Sequence, residues 1–219
     1  MTQALAAQIP ASQPRQYRQL IGGEWVDAEG GATFEDLNPY NEEVFAHIPA
    51  STGADALCAI EAADKAFPAW AAMGARARQA LFLKAADILE RRADEVVLIM
   101  AQETGTAAPF ARFQIQWACG LLRQAAGYPY LPGGEIVQSD TPGVFAMAVR
   151  RPLGVVAGIS PWNGALALGF RTIVAPLACG NTVVLKPSEE APVSAGLLMG
   201  EIMTEAGFPP GVVNVITHA

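Results

Sequence analysis

The stretch RPLGVVAGISPWNGALALGFRTIVAPLACGNTVVLKPSEE, Arg151–Glu190, decides the fold. Leu153 to Ile159 is a short apolar run with paired valines, which suits a parallel strand covered on both faces. Ser160-Pro161-Trp162-Asn163-Gly164 ends it. A second run, Thr182 to Leu185, stops at Lys186-Pro187-Ser188-Glu189. Both strands thus place polar side chains at their carboxyl ends, the edge at which open α/β sheets bind ligands. Between them Leu166, Phe170, Ile173, Val174 and Leu177 recur at helical spacing, and Gly180-Asn181 supplies a C-cap and turn.

The unit then repeats. Pro192 suits a first helical turn, Val193, Leu197, Leu198, Ile202 and Met203 make an apolar stripe, Gly207 caps it, and Val212 to Ile216 reads as a third strand. The fold class is α/β, with a β-α-β-α-β half of a doubly wound nucleotide-binding sheet over 151–219. Right-handed crossovers put the three strands adjacent and parallel, with both intervening helices on one face. With no helix after it, the Val212 to Ile216 strand is expected to leave apolar surface and an open edge.

Upstream, Met1 to Arg18 lacks periodicity and is expected to be a flexible arm. Residues 19–127 form an amino-terminal part in which Leu20 to Val26 and Val44 to Pro49 read as strands of a small antiparallel apron. Three helical stripes follow: Leu57, Ile60, Ala63 and Phe67; Leu81, Ala85, Ile88 and Leu89; and Asp94 through Gln102, ended by Gly105. Phe110, Phe113, Trp117, Leu121 and Leu122 mark a fourth, whose aromatic side chains are expected in the core, with a tunnel lining as the other reading. Residues 128–150 hold a Pro/Gly linker and a hairpin, Glu135 to Val137 pairing with Val144 to Arg150.

Composition narrows the function classes. A 52% hydrophobic content excludes a disordered chain, and a formal charge of −7 argues against nucleic acid or an anionic membrane as partner. No apolar run approaches a membrane span and no signal peptide opens the sequence, which makes the cytoplasm the expectation. Cys58, Cys119 and Cys179 are odd in number and widely spaced, so they read as reduced structural thiols with no metal site.

Two constellations carry chemistry. Asn163 directly follows a strand, and its side-chain amide can donate to an oxygen that gains negative charge; the alternative is a turn asparagine chosen for backbone geometry. Lys186 and Glu189, three residues apart at a strand end, can together hold the vicinal hydroxyls of a ribose. Solvated surface charges are the rival reading.

The order GVVAGISPWN, PLACGNTVVLKPSE, AGFPPGVVNVI resembles the cofactor-binding core of the aldehyde dehydrogenase superfamily, and LNPYNEEVFAHIPAS with the ETG at Glu103 to Gly105 fits its amino-terminal half. The resemblance runs from about Leu20 to Ala219. It implies that Asn163 stabilises the oxyanion of a thiohemiacetal. It also implies cofactor contacts at Ser160, Pro161, Trp162, Lys186, Ser188 and Glu189, with Lys186 and Glu189 on the adenosine ribose. A carboxylate at Glu189 repels a 2′-phosphate and favours NAD, with NADP as the alternative because Lys186 could accept the phosphate. The hairpin of 128–150 is implied as the contact of a homo-oligomer, dimer or tetramer; a surface ribbon on a monomer is the other reading. After the PWN, Gly164 to Arg171 resembles the branch acting on aromatic aldehydes such as salicylaldehyde or vanillin, with short aliphatic aldehydes second. The family's nucleophilic cysteine, its base and its glycine-rich turn all follow the third strand, and residues 1–219 contain none of them. The expectation is therefore part of an NAD-dependent aldehyde dehydrogenase, inactive on its own, or a non-catalytic remnant that binds nucleotide weakly or pairs with other subunits.

Overall fold

The computed structural model describes residues 14–219. Its main sheet contains β2 (Gln19–Ile21), β3 (Glu24–Val26), β8 (Val155–Ser160), β9 (Thr182–Pro187) and β10 (Val213–Val215), in the order β3-β2-β10-β9-β8. β8, β9 and β10 are adjacent and parallel, as the repeated unit requires. A second sheet joins β1 (Arg15–Gln16), β5 (Val44–Pro49) and β4 (Thr33–Leu37), and β6 (Gly134–Val137) pairs antiparallel with β7 (Ala146–Val149).

Among the described residues six α-helices cover these sheets: α1 (Gly53–Ala72), α2 (Ala75–Arg91), α3 (Ala93–Thr104), α4 (Ala108–Ala125), α5 (Ala165–Ala178) and α6 (Leu198–Ala206), the last entered through a π-helical turn at Val193–Leu197. α5 and the π turn pack together on one face of the main sheet, backed by α2, α3 and α4, while α1 crosses the other face. Among the described residues no helix is long and apolar enough to cross a membrane.

Local chemistry explains the boundaries. α1 starts in a capping box: the Thr52 hydroxyl accepts from the Ala54 and Asp55 N–H groups, and the Asp55 carboxylate accepts from the Thr52 N–H at 2.7 Å. α6 stops at Gly207, whose φ of 96° is left-handed backbone that a side chain would strain. Gly169 lets α5 press on the π turn, since a Cβ there would lie 1.9 Å from Met199 Cε and 2.7 Å from the Ala195 oxygen.

Several expectations change. The arm drawn to Arg18 ends earlier: Met1 to Gln13 lie outside the described residues, but Arg15–Gln16 is β1, parallel to β5, and the Tyr17 N–H donates to the His47 carbonyl. The two apron segments do not pair with each other. Leu20 to Val26 folds as the β2-β3 hairpin and adds antiparallel to β10, whereas Val44–Pro49 pairs with β4, a strand the sequence did not announce. That hairpin also covers β10, whose Val213, Asn214 and Val215 are all buried. The edges of the sheet are instead β3 and β8; among the described residues β8 pairs only with β9, leaving Ile159 78% exposed.

Two helical stripes turn out differently. On α1, Leu57 and Ile60 are exposed, while Ala59 and Ala63 pack on Val184. On α4, Phe110, Phe113 and Trp117 lie outside the core, and Ala111, Ile115, Ala118, Cys119 and Leu122 form the buried face. α4 meets its neighbours through the small Ala111, Ala118 and Cys119 side chains, with Ile115 and Leu122 filling the space between them.

Candidate functional site

β8 and β9 end side by side, with Ser160 opposite Pro187 and the Ser188 N–H donating to the Ser160 carbonyl at 2.9 Å. This pairing sets the two polar segments on one sheet edge. The Ser160 hydroxyl is buried and donates to the Ala195 carbonyl (3.0 Å), so it holds the strand end to the π turn while only its main chain borders the edge. Pro161, Trp162 and Asn163 are exposed, Trp162 by 58%. Asn163 makes no hydrogen bond through its amide among the described residues, and the buried Gly164 after it leads into α5.

On β9, Lys186 Nζ lies 3.5 Å from Glu189 Oε2, both partly solvated. The Glu189 carboxyl is held below its ordinary range, first by its own backbone N–H and then by the Lys186 ammonium, with a smaller contribution from His218. Ser188 Oγ accepts from the Glu190 N–H at 3.4 Å, shaping the turn that presents Glu189. Trp162, Glu189 and Glu190 line one cleft of about 510 Å³, whose opposite wall is Asp36 and Leu37 from β4 and Glu103 from α3. Asn163 does not line this cleft; it sits at the start of α5, one residue from Trp162. The geometry thus brings Trp162 and Glu189 together, with Lys186 beside Glu189, and turns the Ser160 hydroxyl away.

Sequence reasoning assigned no role to the carboxyl pair in that opposite wall. Glu103 is 3% exposed and accepts from the backbone N–H groups of Val193 (2.6 Å) and Ser194 (2.9 Å), at the start of the π turn. Asp36, 5% exposed, feels the Glu103 charge and has an Oδ2 with no partner among the described residues. Burial pushes both carboxyls up. Asp36 is also raised by the Glu103 charge, whereas the Val193 and Ser194 N–H groups work against burial at Glu103. Burial and the neighbouring charge together favour the protonated form of the pair.

Both folded-state values lie above those of unfolded carboxyls. The stabilisation from the held proton is thus complete below the ordinary carboxylate range and is lost as pH rises through the raised values. Asp36→Asn should accordingly raise stability at pH 8.5 by about 1 kcal/mol and flatten its pH dependence above neutrality. Urea denaturation at pH 6 and 8.5 checks this, and an unchanged slope would contradict a proton held by the pair.

The aldehyde dehydrogenase family model matches residues 25–219. The chain is 46% identical over 200 residues to a vanillin dehydrogenase of Pseudomonas fluorescens, covering 91% of this chain and 41% of that protein. It superposes with a TM-score of 0.90 and 35% identity on a salicylaldehyde dehydrogenase from Pseudomonas putida G7 solved with salicylaldehyde, covering 94% of this chain and 42% of that one. An NAD-dependent benzaldehyde dehydrogenase from Corynebacterium glutamicum matches with a TM-score of 0.90 and 37% identity, over 92% of this chain and 45% of that one. The chain spans about two fifths of the length of the curated relatives it matches.

Proposed function

The chain belongs to the aldehyde dehydrogenase family, and on that premise we propose that it supplies the cofactor edge and the oxyanion donor for NAD-dependent oxidation of an aromatic aldehyde to its carboxylic acid. The observation that carries this reading is the single sheet edge on which Asn163 follows β8 and the Lys186–Glu189 pair follows β9. Lys186 and Glu189 are suited to the two hydroxyls of the adenosine ribose, one as donor and one as acceptor, and Pro161 and Trp162 would flank the dinucleotide. Glu189 favours NAD, because its carboxylate opposes a 2′-phosphate. The nicotinamide, when bound, supplies the hydride acceptor. The Asn163 amide donates to the carbonyl oxygen as negative charge builds on it.

The aromatic substrate class draws support from α4. Phe110, Phe113 and Trp117 run along its exposed face with successive ring centroids 6.1 and 5.9 Å apart. Gln114, on the buried face of the same helix, accepts from the Ala167 N–H in the first turn of α5, which fixes α4 beside the helix that Asn163 introduces. An exposed row of rings, Phe110 stacked on Phe113 and Trp117 tilted beside it, suits a planar aryl group. Assembly into a homo-oligomer draws support from the β6-β7 ribbon, where Ile136, Met147 and Val149 share one face and are all more than half exposed.

Cofactor titration tests the reading. Lys186→Ala and Glu189→Ala should each raise the Kd for NAD roughly tenfold, the scale of a charge-assisted hydrogen bond, and leave turnover at saturating cofactor nearly unchanged. Unaltered NAD affinity in both variants would move the cofactor elsewhere.

A further inference from the structure

The π turn that opens α6 has no cap of its own. Pro192 precedes it without a side-chain acceptor, and the Leu197 N–H reaches five residues back to the Pro192 carbonyl at 3.1 Å, the wide register of a π turn. The Val193 and Ser194 N–H groups are left over, as the first donors of a helix are, and both residues are fully buried. Their acceptor comes from α3, 90 residues before Val193: Glu103 Oε1 accepts from the Val193 N–H at 2.6 Å and Oε2 from the Ser194 N–H at 2.9 Å. Both carboxyl oxygens are thus committed to main-chain groups. An amide in place of the carboxyl would set an N–H2 against one of the two donors.

The clamped turn bears on the cofactor edge at three points. The Ala195 carbonyl accepts from the Ser160 hydroxyl at the end of β8 (3.0 Å). Gly196 lies against Pro187 at the end of β9, where a Cβ would come within 2.5 Å of the proline ring. Ala195 and Ala191 pack with Ala165, the first residue of α5 and a near neighbour of Asn163 in the chain. Five residues therefore touch both strand ends and the start of the helix, the three places that carry Asn163, Lys186 and Glu189.

We propose that Glu103 is a positioning residue for the reaction: its carboxyl clamps the first N–H groups of the π turn, and the turn fixes the ends of β8 and β9, so that the oxyanion donor Asn163 and the ribose contacts Lys186 and Glu189 stand at one spacing. The inference rests on the reading of that edge as the cofactor and oxyanion site. Asn163→Ala removes only the donor and Lys186→Ala only a cofactor contact, whereas loosening the clamp acts on both ends of the edge at once. Its signature is therefore a joint change in turnover and in NAD affinity, with the turnover part transmitted through Asn163.

The test measures the Kd for NAD, and kcat for an aromatic aldehyde at saturating NAD, in the protein as expressed from its own gene. The variants are Glu103→Gln, Ser160→Ala and Asn163→Ala, with Asn163→Ala also combined with each of the other two. Glu103→Gln should lower kcat roughly tenfold and raise the NAD Kd roughly threefold, since a displacement of about 1 Å at a reacting group costs up to about a hundredfold. Ser160→Ala, which cuts only the link from the turn to β8, should lower kcat about fivefold. In the Asn163→Ala background neither change should lower kcat further, because the amide that the clamp serves is gone. A merely structural Glu103 would lower the urea midpoint and leave NAD affinity and kcat per folded molecule unaltered. That result, or equal losses of kcat in both backgrounds, would overturn the role of Glu103 alone. Should Glu103→Gln fail to fold, Ser160→Ala and its combination with Asn163→Ala decide in the same way. If Asn163→Ala leaves turnover intact while Lys186→Ala and Glu189→Ala bind NAD normally, the cofactor reading of the edge falls, and the role of Glu103 with it.

Discussion

Asn163→Ala should lower turnover of an aromatic aldehyde about a hundredfold or more in the catalytically competent protein and leave the Kd for NAD within about twofold. The side chain stands at the end of β8, exposed and without a hydrogen-bond partner among the described residues, so nothing in the scaffold competes for its amide. A preorganised donor acting on charge that appears only in the transition state contributes roughly 3 kcal/mol to the barrier, and nothing to binding of the ground state. The scaffold should tolerate the change, because the turn is held by the Ser188 to Ser160 bond and by the Ser160 hydroxyl, neither of which involves Asn163. Asn163→Asp replaces the donor by an acceptor and should be at least as damaging. Intact turnover together with weakened NAD binding would assign Asn163 to the cofactor instead.

A polypeptide consisting of residues 1–219 alone should show no thiol-dependent aldehyde oxidation and should self-associate. An acyl-enzyme route needs a thiolate at the attacked carbonyl, and none of the three cysteines can reach Asn163. Cys179 closes the far end of α5, 14 residues or about 21 Å of helix away. Cys119 is buried on α4, where burial pushes its thiol up to about 11. Cys58 lies on α1, across the sheet from α5. Association follows from the β8 edge, where Leu153 is 92% and Ile159 78% exposed beside backbone groups that no described strand pairs. Light scattering should detect it, and Ile159→Lys should reduce it. NADH formation that iodoacetamide abolishes, or a monodisperse monomer, would show that a thiol or the edge had been misjudged.

The parallel core was legible because its rules are local. Strand length, helical spacing and the Gly207 stop placed β8, α5, β9, the helix after Pro192 and β10 within a residue or two of where they lie. The same boundaries put Asn163 and the Lys186–Glu189 pair on one edge, since parallel strands with right-handed crossovers share their carboxyl ends. The sequence also marked α4 as amphipathic, but its periodicity shows only that apolar residues recur; close packing selected Ala111, Ala118 and Cys119 for the interface and turned Phe113 and Trp117 outward. Only the tertiary structure decided the partners that lie far apart in the chain. Leu20 pairs with Val215, Asp36 meets Glu103, and His218 is held by Ser51. No local pattern encodes such contacts, because each depends on how finished elements dock.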